Sequence, residues 1–295
     1  MRVSDITRLI GLAAIWGASF LFLRIAAPVL GTAWVTELRI SIAAVAMLAY
    51  ARAFGYRLDF RRNLPAYAVI GMLQVALPWS MYAFAGHHLG ASYLALLNAS
   101  TPSFSAVFGA LWLGEQLTRR VTLGLAFGAL GVALVVGFGP VEVTSRVLIS
   151  AALCIAGSAG YALTGIYMKK RAAHVSPFSL TLGTLLTAAP LLLPFLLMAP
   201  VPSAPTLKIA LAVLGLALLG SAVAFVLYFR LIADIGPTKT QTVTFITPLF
   251  GILFGVVFLD EELRPAMLLG GALILAGTAL VVMRGTKARS VGIVN

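Results

Sequence analysis

Apolar and polar positions along the chain separate on the scale of whole helices, not of single residues. Ten apolar stretches, at 9–29, 34–51, 64–84, 91–113, 121–139, 147–168, 177–199, 207–229, 238–259 and 266–283, are divided by short connections holding most of the charge. The hydrocarbon core of a bilayer takes about 20 residues of α-helix. A membrane β-barrel would alternate apolar and polar residues in segments of about ten, and these runs do not alternate. The pattern therefore predicts an all-α membrane protein of ten transmembrane helices, with neighbours joined as antiparallel hairpins. Composition sharpens this. Hydrophobic residues make up 61% of the 295 positions and charged residues only 10%, against about 25% charged in an ordinary soluble domain. A cytosolic enzyme, a nucleic-acid binder and a disordered chain are all excluded by that balance.

The formal net charge of +12 would suggest nucleic acid in a soluble protein. Here the basic residues sit between the spans, so they report orientation. With the N-terminus placed inside, 16 lysines and arginines fall on the inner side and 3, Arg146, Lys208 and Arg264, on the outer side. Both termini are therefore expected in the cytoplasm. The first apolar run follows Arg2 and Arg8 and lacks a small-residue cleavage site, so it reads as a first helix and not a signal peptide. Cys154 is the single cysteine, which leaves no intrachain disulfide and no cysteine metal cluster. No metal and no cofactor is expected.

Sliding the sequence by 146 residues aligns 92–137 with 238–283 without a gap. Thr101-Pro102 falls on Thr247-Pro248, Phe104 on Phe250, Gly109 on Gly255, Glu115 on Glu261, Gly124 on Gly270 and Gly131 on Gly277. Apolar bias alone aligns leucines and valines readily, but not a proline, several glycines and an isolated glutamate. The chain thus divides into two five-helix repeats, 1–140 and 141–295. Five is odd, so the second copy must enter the membrane from the opposite side. Inverted repeats of this kind build secondary transporters, with the substrate near the midplane between the halves.

With Trp16-Gly17-Ala18-Ser19-Phe20 in helix 1, Leu38-Arg39 in helix 2, Thr101-Pro102 followed by Leu113-Gly114-Glu115-Gln116-Leu117, and Thr247-Pro248 followed by Asp260-Glu261-Glu262-Leu263, the whole chain resembles the ten-helix EamA-type branch of the drug/metabolite transporter superfamily. That resemblance implies alternating access in the cytoplasmic (inner) membrane of a bacterium. It also implies export of small metabolites, amino acids above all. Asp260 stands where the first copy has Gly114, a turn position.

The substrate-binding residues expected from the spans are Trp16, Ser19, Phe20, Trp79, Tyr82, Asn98, Tyr161, Tyr228, Gln241, Thr244 and Phe245. Aromatic rings within spans suit an apolar side chain, while hydroxyls and amides orient a polar end. The competing reading is interfacial anchoring for the aromatics and helix–helix contact for the small polar residues. Pro102 and Pro248 each remove a backbone hydrogen bond within a span and are expected to act as hinges. Arg24, Glu37 and Arg39 are charges inside helices 1 and 2, where each needs a partner or a function. A structural ion pair between Arg24 and Glu37 is the expectation, which leaves Arg39 to serve structure, as favoured here, or else an outer gate or a substrate carboxylate. Glu115 and Glu261 are expected to cap the following helix or to pair with Arg119, Arg120 or Arg264.

A lipid bilayer and a small-molecule substrate are the expected partners, with a monomer as the working unit. With Glu37 paired, facilitated or weakly coupled transport follows. A proton-coupled drug or nucleotide-type metabolite antiporter is the alternative. An intramembrane enzyme lacks its usual motifs here, with no HExxH and no aspartate pair at the midplane. A channel fits poorly with an internal duplication.

Overall fold

A computed structural model describes residues 2–56, 58–202, 204–235, 240 and 242–282. The described residues form helices and no strands. Nine helices are long and apolar enough to cross a membrane among the described residues: α1 (Val3–Leu30), α2 (Thr32–Ala53), α3 (Phe60–Ala85), α4 (Ala91–Leu113), α5 (Arg119–Phe138), α6 (Ser145–Ala172), α7 (Pro177–Met198), α8 (Leu207–Tyr228) and α10 (Pro265–Val282). Between the last two lies α9, Val243–Leu259, an apolar helix of 17 residues. The expected ten long spans are thus nine with one shorter helix, because the expected ninth stretch starts at 238, among residues that are not described. At about 1.5 Å per residue, α9 meets the lower end of what a bilayer core requires.

Local chemistry sets the helix ends. Gly31 at φ 80° stops α1 and lets α2 begin at the next residue. Thr118, Thr144 and Ser176 cap α5, α6 and α7 by accepting the amides of Val121 (3.4 Å), Val147 (3.3 Å) and Ser179 (3.1 Å), satisfying donors the first helical turn leaves open. Gly114 closes α4 in the left-handed region at φ 66°, and Asp260 closes α9 there at φ 52°. Aspartate is among the residues that tolerate this region, which explains how it replaces glycine at the repeat-equivalent turn. Pro190 and Pro194 do not end α7, which runs on to Met198.

Helix packing crosses between the halves. Helix α1 lies against α8 and α9; α6 lies against α3 and α4. Helix α2 packs on α7 and α8, and α7 on α2 and α3. Helix α4 meets α9, and α5 meets α10. Exchanging each helix with its counterpart five places along leaves the α2–α7, α4–α9 and α5–α10 contacts unchanged and turns each of the others into another of them.

The α5–α10 contact is glycine-dependent. A Cβ on Gly124 would lie 2.7 Å from the Gly277 carbonyl oxygen, and one on Gly270 would lie 2.7 Å from that of Gly131. The lower-numbered glycine of α5 meets the higher-numbered one of α10, so the two helices run antiparallel. Helices α4 and α9 do the same, with Ala95 against Gly251 and Ser92 against Gly255.

Candidate functional site

Three of the expected aromatic residues meet between α1, α3 and α6. The Phe20 ring lies 6.0 Å from that of Tyr82, and Tyr82 stacks on Tyr161 at 6.3 Å with 17° between planes. Tyr82 is buried, and its hydroxyl satisfies two neighbours at once. It lies 2.9 Å from the Ser158 hydroxyl and donates to the Asn98 side-chain oxygen at 3.2 Å. With Tyr82 donating to Asn98, the single Ser158 proton goes to the Tyr82 oxygen, and the Leu97 carbonyl at 3.3 Å is its alternative acceptor. This chain of hydrogen bonds ties α3 and α4 of the first half to α6 of the second. Polar groups in lipid need such partners, and Asn98 and Tyr161 retain accessible surface beside it.

A second aromatic group lies on α1 and α8. Trp16 meets Phe225 edge-on (6.4 Å, 72°) and Tyr228 at 5.6 Å. All three are half-buried, as are Thr244 and Phe245 on α9. Ser19 is buried instead, and its hydroxyl donates to the Ile15 carbonyl at 3.2 Å, so it serves α1 itself. Gln241 lies outside the described residues.

Trp79 carries a cation. The guanidinium carbon of Arg39 sits 3.7 Å from the centroid of its ring. Arg39 Nε also donates to the Ser221 hydroxyl on α8 at 3.3 Å. The expected ion pair between Arg24 and Glu37 does not form among the described residues. Arg24 donates to the Gly86 and His87 carbonyls at 2.8 and 3.0 Å, holding the α3–α4 turn. Glu37 accepts from Ser41 at 2.6 Å, and its other oxygen is buried without a partner among the described residues. Adjacent helices in a hairpin bring these residues to similar depth, but the side chains point to different neighbours.

The two prolines differ in setting. Helix α4 breaks at Ala99–Ser100, so Pro102 occupies the first turn of the segment Thr101–Leu113, where a missing amide is tolerated. Thr101 donates to the Asn98 carbonyl at 2.8 Å, the acceptor that Pro102 leaves open. Pro248 lies inside α9 and is buried.

The glutamates depart from expectation in their partners. Glu261 accepts the amides of Ala91 and Ser92 at the start of α4, and Glu115 pairs with Lys169 at 3.2 Å. Arg264 instead donates to the Gly139 carbonyl. Sequence reasoning missed Ser158 and Ser221. Ser158 stands three residues before Tyr161, one turn away on the same face, which is the signal that could have found it.

A family model described as "EamA-like transporter family" matches residues 6–137 and again 148–283. A probable terminal-alkyne amino-acid exporter of Streptantibioticus cattleyicolor is 28% identical over 278 residues, covering 91% of this chain and 90% of the relative. An Escherichia coli K12 protein named an uncharacterized inner membrane transporter, YedA, is 25% identical over 277 residues, covering 93% and 89%. A crystal structure of a protein 21% identical superposes with a TM-score of 0.66, covering 95% of this chain and 96% of that one, which establishes likeness of fold.

Proposed function

This chain belongs to the EamA-like transporter family, and from that premise we propose that it exports small amphipathic metabolites, most of all amino acids, by alternating access. It is a membrane transporter; the solute, the direction and the mechanism are the proposal. The observation that carries it is the Tyr82–Asn98–Ser158 network. That network joins the two halves beside half-buried Phe20 and Tyr161, and half-buried Trp16, one turn from Phe20 on α1, meets Tyr228. Such walls hold an apolar side chain by burial and leave amides and hydroxyls to orient its polar end. The name of the Streptantibioticus relative, an amino-acid exporter, supports the same solute class.

The halves 1–140 and 141–295 act as two inverted repeats in this reading. The antiparallel α5–α10 and α4–α9 contacts, each between repeat-equivalent helices, support it. Rocking of the halves about Pro102 and Pro248 would open the site to each side in turn. The working unit is a monomer in a bacterial inner membrane with both termini in the cytoplasm, as the distribution of lysine and arginine supports.

The test is flux. Purified protein in proteoliposomes loaded with a panel of radiolabelled amino acids should speed the efflux of at least one amphipathic member over empty liposomes. No accelerated solute across the panel would refute the reading.

A second reading, proton-coupled antiport, is favoured by Glu37. A carboxyl inside a span with one oxygen unpartnered among the described residues is a place where a proton can bind and leave. Strict dependence of flux on an imposed pH gradient would select this version.

A further inference from the structure

We propose that Arg39, seated on Trp79, is the anion-binding end of the central site and takes the carboxylate of the transported solute. The inference rests on the transport reading above and assigns chemistry to one residue of it.

A guanidinium within a transmembrane helix needs an anion, a set of acceptors or a water-filled space. Arg39 has no carboxylate within 4.0 Å among the described residues; the nearest acid in sequence, Glu37, is engaged by Ser41. One donor, Nε, reaches Ser221. The terminal nitrogens have no acceptor among the described residues, yet they are not sealed buried atoms either. Arg39 projects from α2 toward α3 and α8, and it is half-buried, so the side chain retains accessible surface. A half-buried cation within a span, with donors that stay accessible and unpaired among the described residues, has room to receive an anion.

The contacts of Arg39 fix what anion it can receive. Lying over Trp79 occupies the face of the guanidinium, which leaves its in-plane N–H fork for a planar anion. That fork matches a carboxylate in two parallel hydrogen bonds. Trp79 is on α3 and Ser221 on α8, so the cation stands between the two halves. The aromatic wall of Tyr82 and Tyr161 follows on α3 and α6. A molecule with a carboxylate at one end and an apolar body at the other fits this sequence of surfaces.

The experiment uses the full chain in lipid nanodiscs. L-leucine, L-phenylalanine, isocaproate and hydrocinnamate, the amide of each, and sodium chloride are titrated while thermal stability is read. At least one acid should bind with its amide at least about tenfold weaker, since removing the anion leaves a charged donor unpaired. Arg39→Gln should erase that acid–amide difference, and Arg39→Lys should keep part of it. Should Arg39→Gln fail to fold, the comparison on the unaltered chain decides alone. No response to any acid, equal affinity for acids and amides, or a chloride response equal to that of the acids would overturn the proposal. Amides carried as fast as acids in proteoliposomes would leave transport standing and remove only the role of Arg39. Absence of flux for every solute would remove the transport reading itself.

Discussion

Glu261, at the end of α9, holds the start of α4 by accepting the Ala91 amide at 2.6 Å, with Ser92 beside it at 3.0 Å. A carboxylate at a helix N-terminus satisfies open donors and complements the helix dipole. Because α9 belongs to the second half and α4 to the first, this cap ties the two halves together. Charge-assisted bonds of this kind contribute about 1.5–3 kcal/mol. Glu261→Ala should therefore lower thermal stability by about that much, and Glu261→Gln by less. Unfolding of both variants in the same detergent checks this, and equal stability of all three proteins would show that the cap carries no weight.

The Tyr82 hydroxyl links Asn98 to Ser158. Tyr82→Phe keeps the ring and its stack on Tyr161 but leaves two buried or half-buried polar groups without that partner. The expected cost is about 1–3 kcal/mol, with flux reduced several-fold while membrane abundance stays near normal. Ser158→Ala should resemble it, and the double variant should be less than additive because both changes break one network. Transport assays and unfolding curves on the three variants provide the comparison.

Gly124 meets the backbone of Gly277 across the α5–α10 seam. A methyl group there faces a carbonyl oxygen that cannot rotate away, so the helices must part. Gly124→Ala should destabilise by about 1–3 kcal/mol. Helices α5 and α10 pack chiefly on each other and carry neither Tyr82 nor Arg39, so the folded fraction should transport normally. Flux normalised to folded protein, measured by size-exclusion chromatography, separates the two effects.

His87 lies in the turn between α3 and α4, outside the spans. Burial pushes its pKa down, and the neighbouring His88 and Arg24 push the same way. The folded state therefore resists a proton that the unfolded state accepts at about pH 6.5. Stability should be full above that value and should fall as the pH drops from it toward the lowered folded value. His87→Gln should flatten this part of the profile, as unfolding midpoints measured from neutral to mildly acidic pH will show.

The spans were legible because lipid imposes a long apolar run on every crossing helix, and the match of 92–137 to 238–283 is visible in the sequence because prolines and glycines align where composition cannot. Side-chain partners were less so. Depth along a hairpin brought Arg24 and Glu37 together on paper, but only the azimuth of each helix decides that Arg24 reaches the Gly86 carbonyl and Glu37 reaches Ser41. Glu261 caps a helix from the other half, a relation that sequence neighbours cannot display. Ser158 and Ser221 were passed over because a lone serine in an apolar span is the same letter whether it glues helices or orients a functional side chain. The aromatic set was read from depth alone, and the structure brings Phe20, Tyr82 and Tyr161 together while leaving Ser19 bonded to its own helix.

The central claim is a solute path between the halves, and a cysteine at position 98 tests it most directly. Cys154 is the single cysteine, so Cys154→Ser gives a background free of thiols. In that background, Asn98→Cys in sealed vesicles is treated with a membrane-impermeant maleimide from one side or the other. The account predicts labelling from both sides and slower labelling in the presence of a transported solute. Labelling from neither side, or the same rate with and without that solute, would contradict it.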